Sequence, residues 1–138
     1  MITYLDTSVV LRWVLGQHKA LAHPVKGAAL VTSRLTNVEA LRTLDRLRRQ
    51  GGLTDADYAE RHGLTVRLLA RVDRAHIYAA VLRRAAEPFP LPLGTLDSIH
   101  LSTALLVRDT KGVDVVFATH DVELDAAARS VGLETIGT

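Results

Sequence analysis

Four acidic residues lie where an apolar strand is predicted to end or a helix to begin: Asp6, Glu39, Asp97 and Asp121. In an open parallel sheet these junctions meet along one edge, which is where ligands bind. Carboxylates gathered there repel one another and raise each other's pKa values, and a bound divalent cation removes that penalty. Oxygen ligands, with neither cysteine nor paired histidines, favour Mg²⁺ or Mn²⁺ over Zn²⁺. Such an ion most often works on phosphates, where it can activate water for in-line displacement at phosphorus.

Each acid also has a local explanation at a helix N-terminus. A carboxylate can cap free N–H groups, favour the positive end of the helix dipole, or complete a capping box. In these interpretations Asp6 and Asp121 are themselves N-caps. Asp97 follows an N-cap at Thr95, and Glu39 completes a capping box whose N-cap is Thr36 or Asn37. The four acids taken together favour the metal hypothesis, because the helix that carries Asp97 is apolar on nearly every face and should be buried.

Apolar runs and helix breakers predict alternating strands and helices. Strands are predicted at residues 2–5, 29–32, near 70–72, 113–118 and 134–136. Helices are predicted at residues 7–15, around 19–26, and at 37–50, 55–69, 78–86, 95–108 and 121–131. This alternation predicts an α/β fold whose central sheet is largely parallel and covered by helices on both faces.

The composition indicates one domain with an aliphatic core. The chain has 138 residues, of which 48% are hydrophobic but only 4% aromatic, and it has no cysteine. Thiolate metal sites and disulfides are therefore excluded. We find no apolar run of membrane-spanning length and no signal-peptide pattern. We expect a single cytoplasmic domain over residues 1–138, with no membrane partner.

Arginines cluster on one predicted helix, although the net charge is only +2: Arg42, Arg46, Arg48 and Arg49. The guanidinium group suits phosphate, which weakly indicates a nucleic-acid partner. From charge alone, a solvated helix face is the simpler interpretation.

Several phosphate-handling classes do not fit the motifs. The chain lacks the GxxxxGK[ST] pattern of P-loop proteins. A haloacid-dehalogenase-like phosphatase would carry a second Asp where this chain has Ser8. A response-regulator receiver would carry an acid pair after its first strand and a Lys after its last, and neither is present.

Four stretches resemble the PIN domain and, more narrowly, the VapC-type toxins of bacterial toxin–antitoxin pairs. They are YLDTSV from residue 4, LTNVEALR from residue 35, TLDSIHLSTA from residue 95, and ATHD from residue 118. The likeness extends over residues 2–136, and the stretch LDSIHLSTAL is its most specific part. It implies a three-layer PIN-like fold and a Mg²⁺- or Mn²⁺-dependent endoribonuclease.

The resemblance also implies the site residues. The metal-holding acids would be Asp6, Glu39, Asp97 and Asp121, and the catalytic hydroxyl before the fourth acid would be Thr119. Ser8 matches the hydroxyl two residues after the first acid and would help to bind substrate. Asp6, Asp97 and Asp121 would hold the metal, and Glu39 would orient the attacking water. The RNA products would carry 5′-phosphate and 3′-hydroxyl ends.

The resemblance further implies a homodimer silenced by a VapB-type antitoxin, whose tail enters the active-site groove. Arg42 could contact the RNA backbone or pair with Glu39. We expect His100 to be a satisfied, partly buried histidine, and Asp125 to be an exposed helix charge or an outer-shell carboxylate. Two alternatives for function stay open: a catalytically silent RNA- or protein-binding module, and a metal-dependent nuclease acting on DNA.

Overall fold

Five parallel strands form one sheet at the centre of the computed structural model, which describes residues 1–22 and 25–138. The strands are β1 (Ile2–Leu5), β2 (Ala29–Ser33), β3 (Asp73–Ala75), β4 (Val115–Ala118) and β5 (Glu134–Ile136). Their order across the sheet is β3-β2-β1-β4-β5, and each neighbouring pair is parallel. The predicted α/β class with a parallel sheet is confirmed.

Six helices in the described ranges follow or connect the strands. They are α1 (Thr7–Leu15), α2 (Leu35–Arg49), α3 (Asp55–Leu69), α4 (Ala79–Ala85), α5 (Thr95–Lys111) and α6 (Val122–Ser130). The predicted bounds of α1 and α3 are confirmed, and the other helices differ only near their ends. None of the helices in the described ranges is long and apolar enough to cross a membrane.

The sheet separates two apolar clusters, which makes three layers. Successive strand residues point to opposite faces, so Tyr4 and Leu5 enter different clusters. On one face Tyr4 stacks on Phe117 with ring centroids 5.3 Å apart, under residues of α5 and α6 such as Leu101. On the other face Leu5 packs with residues of α1 such as Val10.

The register of β1 and β4 brings distant parts of the chain to one edge of the sheet. Leu5 pairs with Ala118, so the next residues, Asp6 and Thr119, lie together just beyond the carboxyl ends of the two strands. The backbone N–H of Asp6 donates to the carbonyl of Ala118 at 2.9 Å. Helix α1 begins at once after Asp6 and fixes the direction in which the chain leaves the edge.

Helix α2 begins earlier than predicted, which moves Glu39 out of its first turn. The hydroxyl of Ser33 accepts a hydrogen bond from the backbone N–H of Leu35 at 3.0 Å, and the helix starts at Leu35. Glu39 is therefore in the second turn, and the predicted capping box with Thr36 or Asn37 is wrong. Its carboxylate is instead available for contacts with other elements.

Two further predictions fail for local reasons. The strand expected near residues 70–72 lies at Asp73–Ala75, because the turn after α3 continues through a bond from Val72 N–H to the Leu69 carbonyl. The short helix expected around residues 19–26 is not found in its described part, where residues 19–22 and 25–26 form turns and irregular chain. His23 and Pro24 lie outside the described residues.

Candidate active site

Asp6 stands at the N-cap position of α1, but its carboxylate makes no cap bond to the helix. Oδ2 instead accepts hydrogen bonds from Ser8 Oγ at 2.7 Å and from Thr119 Oγ1 at 3.0 Å. The residue is only 5% exposed. Capping, the local alternative for this acid, is therefore wrong, and two hydroxyl groups orient a buried carboxylate at the sheet edge.

Thr119 connects the first and fourth acids. Its hydroxyl donates to Asp6 and accepts a hydrogen bond from the backbone N–H of Asp121 at 3.0 Å. Asp121 does cap its helix, because Oδ1 accepts bonds from the backbone N–H groups of Glu123 and Leu124 at 2.9 and 3.1 Å. The cap interpretation is thus confirmed for Asp121, and both cap bonds use the same carboxylate oxygen.

Glu39 joins the site through a buried polar network. Oε1 accepts a bond from Thr7 Oγ1 at 2.7 Å and lies 2.5 Å from Nε2 of His100. Burial acts to raise the pKa of Glu39, but the bond and charge of His100 and the bond from Thr7 outweigh it, and the pKa is lowered. The carboxylate of Glu39 is therefore ionised at neutral pH.

Asp97 lies in the first turn of α5, with Gly94 and not the predicted Thr95 at the N-cap position. Gly94 has an extended backbone and its carbonyl accepts the first helical bond, from Ser98 N–H at 2.9 Å. Partial burial, with the negative charges of Asp6 and Asp121, raises the pKa of Asp97 to about 6. The structure therefore brings these carboxylates into electrostatic contact.

The donor set of this edge fits a hard divalent cation. Asp6, Glu39 and Asp121 all oppose ionisation of Asp97, and an added cation would relieve that repulsion. All four groups offer carboxylate oxygens, the ligands of Mg²⁺ and Mn²⁺. Within residues 1–22 and 25–138, no three acidic or histidine side chains form a closed metal-binding cluster. Binding would thus need side-chain rotation or ligation through water.

The remaining predicted residues, Ser8, Arg42 and Asp125, each have an identified hydrogen-bond or ion-pair partner. Ser8 also accepts a hydrogen bond from the backbone N–H of His120 at 3.0 Å, which ties the start of α1 to the loop after β4. Arg42 pairs with Asp45 at 3.1 Å, so the alternative in which it pairs with Glu39 is wrong. Asp125 is buried and pairs with Arg129 at 2.7 Å, so it is not an exposed helix charge.

The arginine cluster is partly neutralised within its own helix. Asp45 accepts bonds from Arg42, Arg48 and Arg49. These arginines lower the pKa of Asp45, and the hydrogen bond from Arg49 is the largest cause. Arg42 and Arg49 remain well exposed despite these pairs.

Sequence reasoning missed Thr7 and Tyr4. Thr7 follows Asp6 directly, yet its hydroxyl bonds Glu39, and Tyr4 bonds His100 from the middle of β1. His100, expected to be satisfied and partly buried, is satisfied and fully buried. The sequence signals were the hydroxyl of Thr7 directly after Asp6 and the polar ring of His100 within a largely apolar helix.

Comparisons with known proteins agree with this arrangement. A family model described as the PIN domain matches residues 3–130. Ribonuclease VapC46 of Mycobacterium tuberculosis is 30% identical over 142 residues, an alignment that covers 96% of this chain and 95% of VapC46.

Two crystal structures share the fold. PAE2754 of Pyrobaculum aerophilum aligns with a TM-score of 0.60 at 21% identity, covering 98% of this chain and 90% of that one. VapC20 of Mycobacterium tuberculosis, a sarcin–ricin loop cleaving toxin, aligns with a TM-score of 0.61 at 16% identity, covering 99% of both chains. Because the family model matches most of the chain and VapC46 aligns over nearly all of it, this chain belongs to the PIN-domain family.

Proposed function

We propose that this chain is a divalent-metal-dependent endoribonuclease and the toxin of a toxin–antitoxin pair. The observation that carries the proposal is the meeting of Asp6, Glu39, Asp97 and Asp121 at one edge of the sheet. There, burial and the charges of the other three acids raise the pKa of Asp97 to about 6. Maintaining repelling carboxylates in one place is costly unless a cation or a substrate group uses them. Membership of the PIN family and the likeness to ribonuclease VapC46 support the same activity.

The geometry supports the following division of roles. Asp6, Asp97 and Asp121 would hold Mg²⁺ or Mn²⁺, and Thr119 and Ser8 would keep Asp6 in place through their bonds to its Oδ2. The cation would supply positive charge that acidifies an attacking water and neutralises charge developing at phosphorus. Glu39, ionised and anchored at Oε1, would orient that water. Water as the nucleophile predicts 5′-phosphate and 3′-hydroxyl product ends.

The charges in and around the site support the proposed RNA substrate and antitoxin partner. The exposed guanidinium of Arg42 would meet the RNA backbone outside the acidic centre. An antitoxin of the VapB type would silence the site by placing a cationic side chain among the carboxylates. We further propose that the protein acts as a homodimer in the cytoplasm, where RNA and antitoxin are available.

The purified protein tests this proposal directly. Wild-type protein incubated with RNA and Mn²⁺ or Mg²⁺ should cut it, EDTA should abolish cutting, and Asp97→Asn should reduce it below detection. Asp114→Asn is the matched control, because Asp114 is exposed and precedes β4 at the opposite edge of the sheet. Cleavage that resists EDTA and Asp97→Asn would contradict the proposal. Cleavage of DNA in place of RNA would support the DNA-nuclease alternative.

A further inference from the structure

His100 connects the centre of the sheet to the carboxylate of Glu39. The ring lies on α5 and is fully buried. Its Nδ1 lies 2.8 Å from the hydroxyl of Tyr4. Its Nε2 lies 2.5 Å from Oε1 of Glu39 and 3.2 Å from the hydroxyl of Thr7. The imidazole thus has a partner on both of its nitrogens.

The available hydrogens determine which group donates and which accepts in each of these contacts. The carboxylate of Glu39 can only accept hydrogen bonds, and the hydroxyl of Thr7 lies nearer to its Oε1, at 2.7 Å, than to its other acceptor, the hydroxyl of Thr36 at 3.2 Å. The hydrogen between Nε2 and Glu39 must therefore belong to His100. The Tyr4 hydroxyl can donate to Nδ1 when the imidazole is neutral and can accept from Nδ1–H when the imidazole is protonated, so it anchors the ring in both states.

We infer that His100 is a positioning residue for Glu39: Tyr4 anchors its ring at Nδ1, and its Nε2–H holds Oε1 of Glu39 in place. The bonds from Thr7 and His100 both use Oε1, which leaves Oε2 for a cation or a water. The inference rests on the proposed function of this site. Second-sphere hydrogen bonds of this kind orient ligand side chains and tune their affinity for metals.

A purely structural role for the ring makes a different prediction. If His100 only fills the core, any variant that folds should leave metal binding unchanged. Helix α5 supplies a matched control in Ser102, which is also fully buried and whose hydroxyl makes no hydrogen bond among the described residues. Ser102→Ala therefore alters the same buried helix without touching the contacts of His100.

Calorimetric titration of the full chain with Mn²⁺ separates the two roles. The amide of His100→Gln places a donor near the position of Nε2, whereas that of His100→Asn places one near Nδ1. We expect His100→Asn to weaken Mn²⁺ binding roughly 10- to 100-fold, His100→Gln to recover much of that loss, and Ser102→Ala to match the wild type. A folded His100→Asn protein that binds Mn²⁺ as tightly as the wild type would overturn the inference.

Nitrogen NMR of the histidine rings tests the same contact without metal or activity. At a pH where the ring is neutral, the wild type should carry its hydrogen on Nε2. Tyr4→Phe, which removes the anchor at Nδ1, should loosen this preference. A wild-type ring protonated at Nδ1 alone would overturn the inference. Absence of Mn²⁺ binding or of RNA cleavage by the wild type would contradict the proposed function instead, and the NMR result would still decide whether His100 donates to Glu39.

Discussion

The hydroxyl of Thr119 donates a hydrogen bond to Oδ2 of Asp6 at 3.0 Å, across a sequence separation of 113 residues. Both residues leave adjacent parallel strands at the same edge. The same hydroxyl accepts a bond from the backbone of Asp121, so one side chain fixes two of the four acids. Thr119 thus holds the carboxylate of Asp6 and the backbone of Asp121 in place.

Removing this hydroxyl should weaken the site without unfolding the protein. Thr119→Val keeps nearly the same volume in a fully buried position but leaves Asp6 Oδ2 with one donor fewer. We expect Mn²⁺ affinity and RNA cleavage to fall roughly 10- to 100-fold. Thr119→Ser, which keeps the hydroxyl, should stay close to the wild type. Equal losses in both variants would show that packing, and not the hydrogen bond, is what matters there.

The pKa of Asp97 predicts how the stability of the metal-free protein depends on pH. In the folded state this pKa is about 6, against an ordinary value of 3.8. Between these values the folded protein holds a proton that the unfolded chain has lost, so the free energy of unfolding falls as pH rises through the window. Asp97→Asn removes this titration. Its stability relative to the wild type should increase from about pH 4 to about pH 6 and then level off.

Chemical denaturation of both proteins in EDTA at several pH values measures that difference. Saturating Mn²⁺ should stabilise the wild type more than Asp97→Asn above pH 6, because only the wild type gains the full binding energy. A stability difference that does not change between pH 4 and pH 7 would show that Asp97 is not held among the other carboxylates.

Arg42 should contribute to RNA binding through charge alone. Arg42→Gln is expected to reduce the slope of log affinity against log salt by about 0.7, the loss of one phosphate contact on a single strand. Fluorescence anisotropy with labelled single-stranded RNA, without metal, measures this slope. Arg108→Gln is the control, since Arg108 is also ion-paired but lies near the end of α5. Identical slopes for the two variants would show that Arg42 does not contact the RNA backbone.

Gly137 supports the loop that carries Thr119. Its φ is +106°, and a Cβ there would lie 2.5 Å from the backbone oxygen of Thr119. Gly137→Ala should therefore destabilise the protein by about 1–3 kcal/mol and weaken Mn²⁺ binding as Thr119 shifts. Gly112→Ala, also at positive φ but with open space around it, should lower thermal stability without affecting Mn²⁺. Unchanged Mn²⁺ affinity in Gly137→Ala would mean that the loop absorbs the clash elsewhere.

Local signals explain which parts of the fold could be predicted. Helix α1 ends where Gly16 adopts a left-handed backbone, and α3 begins where the Thr54 hydroxyl caps it, both features of neighbouring residues. The predicted position of β3 was wrong because the turn after α3 extends through Val72. That turn contains the apolar residues that suggested a strand.

Contacts within the site could not be predicted in the same way. The sequence placed the acids at one sheet edge, but the partners of Glu39 come from residues 32 and 61 positions away. Local rules predicted that Asp6 caps α1. The folded structure instead brings two hydroxyl groups, those of Ser8 and Thr119, to its carboxylate. Arg42 has an equally local partner in Asp45, which sequence spacing allowed but did not favour over Glu39.

Induced expression in bacterial cells, with mapping of RNA 5′ ends, tests the central claim most directly. The wild type and Asp114→Asn should arrest growth and generate new 5′-phosphate ends, and Asp6→Ala should do neither, because the carboxylate held by Ser8 and Thr119 is lost. Arrest with new RNA ends that persists in a folded Asp6→Ala protein would contradict the account and leave the acidic edge without a role in cleavage.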